Sequence, residues 1–478
     1  MVVTAEAALS LHRFGVGAGV DELKQVSGDA RGMLKAQLAR PDAALITQPS
    51  LPSSSTAARL LVRAQIAKRT AAMAGAATAP PRPLARMDLN DALASSDPGA
   101  IRRSVYEAEV TARLRHGATT QVSFVERLVL FWTNHFAVSV DKGAVHVLAG
   151  AMEREAIRPH VLGKFADLLK AAERHPAMLL FLDNQQSIGP NSRVGSRTGR
   201  GLNENLAREI LELHTLGVDG GYTQTDVTNL ARILTGWGWT PPKSDRDDAG
   251  QTAFFAERHE PGPITVLGRT YAAEGAAQAD AVLDDLARHP ATARHLARKL
   301  AAHFVGNDPQ AAQFVRDDPP AAAVARIEAA FRQSDGDLRA VAAAIVDCPQ
   351  AWDPTPRKIK TPYEFVLSVA RLEPRILDDE QTLMRAFVAL GQRPMAPPSP
   401  KGFEDEQAAW LAPHSFKERV DWASMVADRF PPSSDPAALA DDLFGPLLSS
   451  QTKLEVAHAA SGPQALTLLL MSPEFQRR

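Results

Sequence analysis

A chain of 478 residues, 45% hydrophobic and 23% charged, is long enough for a large buried core and has the balance of an ordinary globular protein. Its net charge of -2, with no Lys/Arg block, excludes the counterion-release mode of nucleic-acid binding and a basic face for anionic membranes. A single cysteine, Cys348, excludes an internal disulfide and multi-cysteine zinc or iron–sulfur sites.

Alanine, leucine and arginine dominate, and β-branched alternation is scarce. The expected fold is therefore all-α, a large multi-helix globular domain over 1–478 with a small β-hairpin insertion. In chain order, helices are predicted near 5–14, 30–39, 55–73, 100–115, 124–137, 144–161 and 164–173. Others follow near 204–216, 224–236, 273–288, 291–305, 321–332, 337–347, 362–372, 379–390, 414–429, 436–443 and 453–460. Met1 to Gly19 lacks the cationic start and apolar run of a signal peptide, and no stretch of about 20 apolar residues could span a membrane. The chain reads as cytoplasmic, with a periplasmic location through a trimmed leader or co-export as the alternative.

Two segments break the helical pattern. Residues 79–98, rich in proline, read as a mobile surface linker. Residues 184–201 (NQQSIGPNSRVGSRTGRG) form a long loop, of a length that is either functional or disordered inside a domain. The strand-like patch Thr252 to Tyr271, with Pro261-Gly262-Pro263 at its middle, predicts the hairpin.

Polar chemistry concentrates after the long loop. On a helix starting at Asn203, residues Glu204, Asn205, Arg208, Glu209 and Glu212 share an arc of about 140°. Such an arc can be a plain solvated face. Three close carboxylates, however, repel one another unless a cation, a guanidinium or a shared proton relieves them. Asp183 and Asn184 stand at the other end of the loop. A second candidate is Phe124 to Phe136, apolar nearly all round, whose Asn134 and His135 must find partners if buried. His135 is read either as a satisfied buried histidine or as a base or ligand facing a cavity. Trp237 lies in the GWGWT segment, either as a core aromatic or lining a sugar-binding cleft.

The segments HRFGVGAG, FWTNHFAVS, LDNQQSIGPNS and GLNENLAREILELHTLGVDGGYTQTDVTNLARILTGW occur in that order. They are followed by HEPGPITVLGRTY, KIKTPYEFVLSVAR and GQRPMAPPSPKGF. Together the chain resembles the bacterial family catalogued as domain of unknown function 1800, over nearly its whole length. The resemblance carries no agreed activity. It implies a partner, a sulfatase-like protein of the domain of unknown function 1501 family.

Two functions are expected. One is a hydrolase acting on a glycan or another polar polymer, with Glu204 and Glu209 as acid and base and Asp183 and His135 assisting. Asn184, Asn191, Asn203, Arg208, Glu212 and Trp237 would bind substrate, and Asp183, Glu204 and Glu209 could hold a divalent cation. The other is a non-catalytic binding or assembly partner of the sulfatase-like protein.

Overall fold

Helix starts follow local chemistry. Thr223 accepts from the Asp226 N–H while Asp226 accepts from the Thr223 N–H, a capping box that opens the helix Gln224–Leu234. Thr361 and Glu364 repeat the device at Pro362–Leu372, with Pro362 in the first turn. The computed structural model describes residues 3–26, 28–40, 42–73, 89–243, 246–272, 274–306, 318–355, 358–431 and 435–478. Among them are 24 α-helices and two small antiparallel two-stranded sheets, so the fold is all-α as expected. No helix among the described residues is long and apolar enough to cross a membrane.

Two hydrophobic cores organise the helices. The larger gathers Ser54–Met73, Pro98–Thr119, Ser123–His135, Phe165–Arg174, Gln224–Leu234, Ala276–Arg288 and Pro290–Phe304. The second centres on Pro362–Leu372, whose eleven residues are all buried, packed by Pro413–Arg429, Pro436–Phe444 and Gly462–Met471. The N-terminal segment belongs to both: Leu9 and Phe14 enter the first core, Ala7, Ala8 and Leu11 the second. Polar bonds fasten the seam. Arg13 donates to the carbonyls of Ala351, Asp353 and Thr355, His12 Nε2 donates to Leu443 O at 2.8 Å, and Ser368 donates to Val16 O.

Three helices loosen into a π turn, at Ser10–Phe14, Glu153–Ile157 and Ile210–His214. Such turns are rare and concentrate at functional sites. Each brings a titratable or charged side chain into the interior: Arg13, Glu153 and His214.

Several expectations change. Residues 79–88 of the expected linker lie outside the described residues, but Leu89–Ala94 is a helix and Asp97 caps the next one. The 184–201 loop contains a helix, Arg193–Thr198, capped by Ser192. The hairpin is Ile264–Val266 against Arg269–Tyr271, turning at Leu267 and Gly268, both at positive φ. Phe254 instead pairs with Trp237, in a separate ribbon with Trp237–Trp239. The helix after the loop begins at Asn205 with Glu204 as its cap residue, and Asn203 sits one position earlier.

Candidate functional site

Around the predicted acidic arc, most groups are already satisfied. Glu204 accepts from Thr228 at 2.7 Å and Gln224 at 2.8 Å and pairs with Arg208 at 3.3 Å. Those bonds, Thr228's first, hold its carboxyl below the usual range, the wrong direction for a general acid. Burial pushes Glu209 up, and Glu212 beside it adds to that. Glu212 is met by Tyr222 Oη at 3.5 Å. Asp183 pairs with Lys142 at 2.5 Å, and Asn184 donates to the carbonyls of Leu234 and Trp237. Asn191 is bound to Glu260 at 2.6 Å, Asn203 bonds Ser187 and Asn205, and Trp237 packs under the Arg174 guanidinium. Among the described residues no three His, Cys, Asp or Glu side chains gather as a metal-holding group, so Asp183, Glu204 and Glu209 do not converge on a cation.

His135 lies elsewhere, and it leads to a cavity. Eleven of the thirteen residues of Ser123–His135 are buried, His135 among them, and half-buried Asn134 and buried His135 at its end must find partners. Asn134 is clamped by one backbone unit, donating to Phe403 O at 3.0 Å and accepting from Phe403 N at 2.8 Å. His135 Nε2 lies 3.2 Å from the carbonyl of His214, which can only accept, so Nε2 carries the hydrogen. Burial, and then Lys299, hold the ring neutral far below its ordinary pKa. Its Nδ1 therefore accepts from Lys299 Nζ at 3.1 Å.

The cavity beyond encloses about 100 Å³. Its wall includes His135, Lys299, His303, Tyr363, Arg113 and Asp405, drawn from both cores. Lys299 and His303 stand one turn apart on Pro290–Phe304. Lys299 has no carboxylate within 4 Å among the described residues, and burial pushes its amine down. His303 is driven down to about 3 by burial and by Arg478. Tyr363 Oη and His303 Nε2 are buried with no hydrogen-bond partner among the described residues.

The charges divide into two groups. Glu126, Arg158, Glu153 and Arg113 form a buried chain with contacts of 2.8 Å, two carboxylates against two guanidiniums. Burial opposes ionisation of Glu126, but Arg158 outweighs it and keeps the carboxyl low. At the other side Glu364 meets Arg127 at 2.5 Å and Arg478 at 3.1 Å, while Asp405 meets Lys358 at 3.3 Å. Behind His135, the ring of His214 lies 2.7 Å from Glu173, a charge contact rather than an aligned hydrogen bond. The π turn that places His214 also offers the carbonyl that fixes His135.

The family model described as a protein of unknown function (DUF1800) matches residues 10–477. The chain belongs to this family. No curated protein and no solved structure matches the DUF1800 chain. Of the ten residues predicted for its site, only His135 reaches the cavity. Lys299, His303, Tyr363 and Asp405 were missed. Lys358 to Glu364 reads in sequence as a plain helix start, yet it supplies Tyr363 and Glu364 to the wall. A usable signal was Lys299 with His303 four residues on, both beside the apolar stripe of Leu296, Leu300 and Phe304.

Proposed function

We propose that this protein is an enzyme, a hydrolase acting in the His135 cavity on a small polar molecule or on the exposed end of a larger one. Lys299 is the proton-transfer group and His135 positions it. The observation that carries the reading is the Lys299–His135 contact at 3.1 Å in a wall with no carboxylate on that amine among the described residues. Burial pushes the Lys299 amine down, so it gives up a proton more readily than an ordinary lysine. With one ammonium hydrogen fixed on His135 Nδ1, another can be given to the leaving-group oxygen in the cavity, and the water that adds to the substrate returns a proton to the amine. At ~10–15 Å³ per water, the volume has room for about seven to ten waters, which suits a small group rather than the middle of a polymer. Hydrolysis of a glycan thus moves from the Glu204–Glu209 arc to a chain end at Lys299.

The test is a turnover screen of glycosides, carboxylic esters, phosphate esters and sulfate esters between pH 6 and 9. Wild type should turn over one class, Lys299→Met should lose at least a hundredfold in kcat, and His135→Gln should lower kcat more than it changes KM. No turnover in any class, or turnover indifferent to Lys299→Met, overturns the proposal.

A second reading keeps the Glu204 face as a docking surface for a sulfatase-like partner. Val218, 70% exposed in the turn that follows Glu212, supports it by giving the polar face an apolar contact. Co-purification with a protein of the domain of unknown function 1501 family, abolished by Val218→Asp, is the expected result; co-purification unchanged by that variant rules this face out.

A further inference from the structure

The two ends of the cavity differ in charge, and that difference names a class of ligand. At the Arg113 end the count is even: Glu126 and Glu153 against Arg113 and Arg158, every group in contact with an opposite one. At the Lys299 end the wall carries Lys299 and Arg478 with the carboxylates Glu364 and Asp405, and Arg127 and Lys358, behind the wall, pair with those two carboxylates. Both carboxylates are taken, and Glu404, also on the wall, is held by Lys401 at 2.8 Å. Buried like charges are costly until an opposite charge joins them.

Hydrogen-bond donors are left over as well. Four residues of the wall carry buried polar atoms with no hydrogen-bond partner among the described residues: Arg113 Nε, in charge contact with Glu153, and Tyr363 Oη at one end, and His303 Nε2 and Arg478 Nε at the Lys299 end. The hydroxyl and the guanidinium nitrogens are donors, and the neutral imidazole can be one. Native proteins seldom leave such atoms unmet, and a cluster of them around one cavity calls for a ligand that accepts. An acceptor with negative charge answers both deficits at once, through charge-assisted hydrogen bonds.

Resting on the reading of this cavity as the site, we propose that the Lys299 end binds the anionic group of the ligand, a carboxylate or a tetrahedral oxyanion such as phosphate or sulfate. The Glu153 end then faces the uncharged remainder, since its charges are already matched.

Isothermal titration of the full chain with inorganic phosphate, sulfate and acetate tests this, with methylamine as the cationic control. One anion should bind with 1:1 stoichiometry, methylamine should not, and Lys299→Met should weaken the anion at least tenfold. Binding of phosphate or sulfate but not acetate assigns a tetrahedral oxyanion, and the reverse assigns a carboxylate. If Lys299→Met does not fold, acetylation of Lys299 in wild type, followed by peptide mass spectrometry, replaces it: the bound anion should slow modification at least fivefold. No heat from any of the three anions, affinity unchanged in Lys299→Met, or Lys299 acetylated equally fast with and without the anion overturns the inference. The outcomes separate from those of the enzymatic reading. Lys299-dependent turnover of an uncharged substrate without anion binding sinks the anion site alone, and Lys299-dependent anion binding without turnover sinks the catalytic role alone.

Discussion

His12 and His303 are held down to about 3 and His295 to about 4, each chiefly by burial, and His135 lies far below its ordinary value for the same reason. In the unfolded chain these rings take up a proton near 6.5, so between 6.5 and about 4 the unfolded state binds more protons than the folded one. Stability therefore falls as pH drops through that window, by about 1.4 kcal/mol per pH unit for each ring still neutral when folded. Urea unfolding at pH 7.5, 6.0 and 5.0 should show the loss, and His12→Gln, whose amide can still donate to Leu443 O, should flatten the slope. An unchanged slope in that variant would mean that His12 is not among the groups responsible. Arg158 is the other decisive side chain. Removing it as Arg158→Met leaves Glu153 with Arg113 and the Thr133 hydroxyl and Glu126 with only His116 at 3.5 Å, and should cost about 3–5 kcal/mol in chemical denaturation. Sequence made Asn134 and His135 legible, because a helix apolar all round leaves its few polar residues conspicuous. It hid Lys299 and Tyr363, because their meaning lies in partners far along the chain: Lys299 is 164 residues from His135 and Arg127 is 237 from Glu364.

At the level of elements, capping and periodicity carried most of what could be read, and Pro362–Leu372 was predicted end for end. The strands were harder. Phe254 lies near Ile264 in sequence, but Trp237, which reads as a helix-end aromatic, is its partner. The π turns leave no mark in an apolar pattern whose period hardly changes over five residues. The segment carrying Phe403 to Asp405 shows how one element sets the site. Gly402 has φ 92°, and a Cβ there would come within 2.5 Å of Asn134 O. Gly402→Ala should push this segment away from the end of Ser123–His135, displacing Asp405 from the wall. We expect a modest loss of stability, about 1–3 kcal/mol, with anion affinity or turnover reduced out of proportion to it. Equal binding in the variant would show that the segment is not part of the site.

Over the whole molecule, the N-terminal helix enters both cores, and Arg13, His12 and Ser368 stitch the seam. The two cores should accordingly unfold together, with circular dichroism and tryptophan fluorescence giving coincident single transitions in urea. Two resolved transitions would show that the seam is weaker than its contacts suggest. The all-α class was visible from composition, whereas a cavity shared by two cores is a product of their packing and has no local signature. That shared wall bears on time. A molecule held between the cores lies beside a segment tied down by the paired bonds of Asn134 and Phe403, which slows its exit. Its residence should be long on the scale of a purification, and mass spectrometry under native conditions, on protein fresh from cells, is where such a passenger would first be weighed.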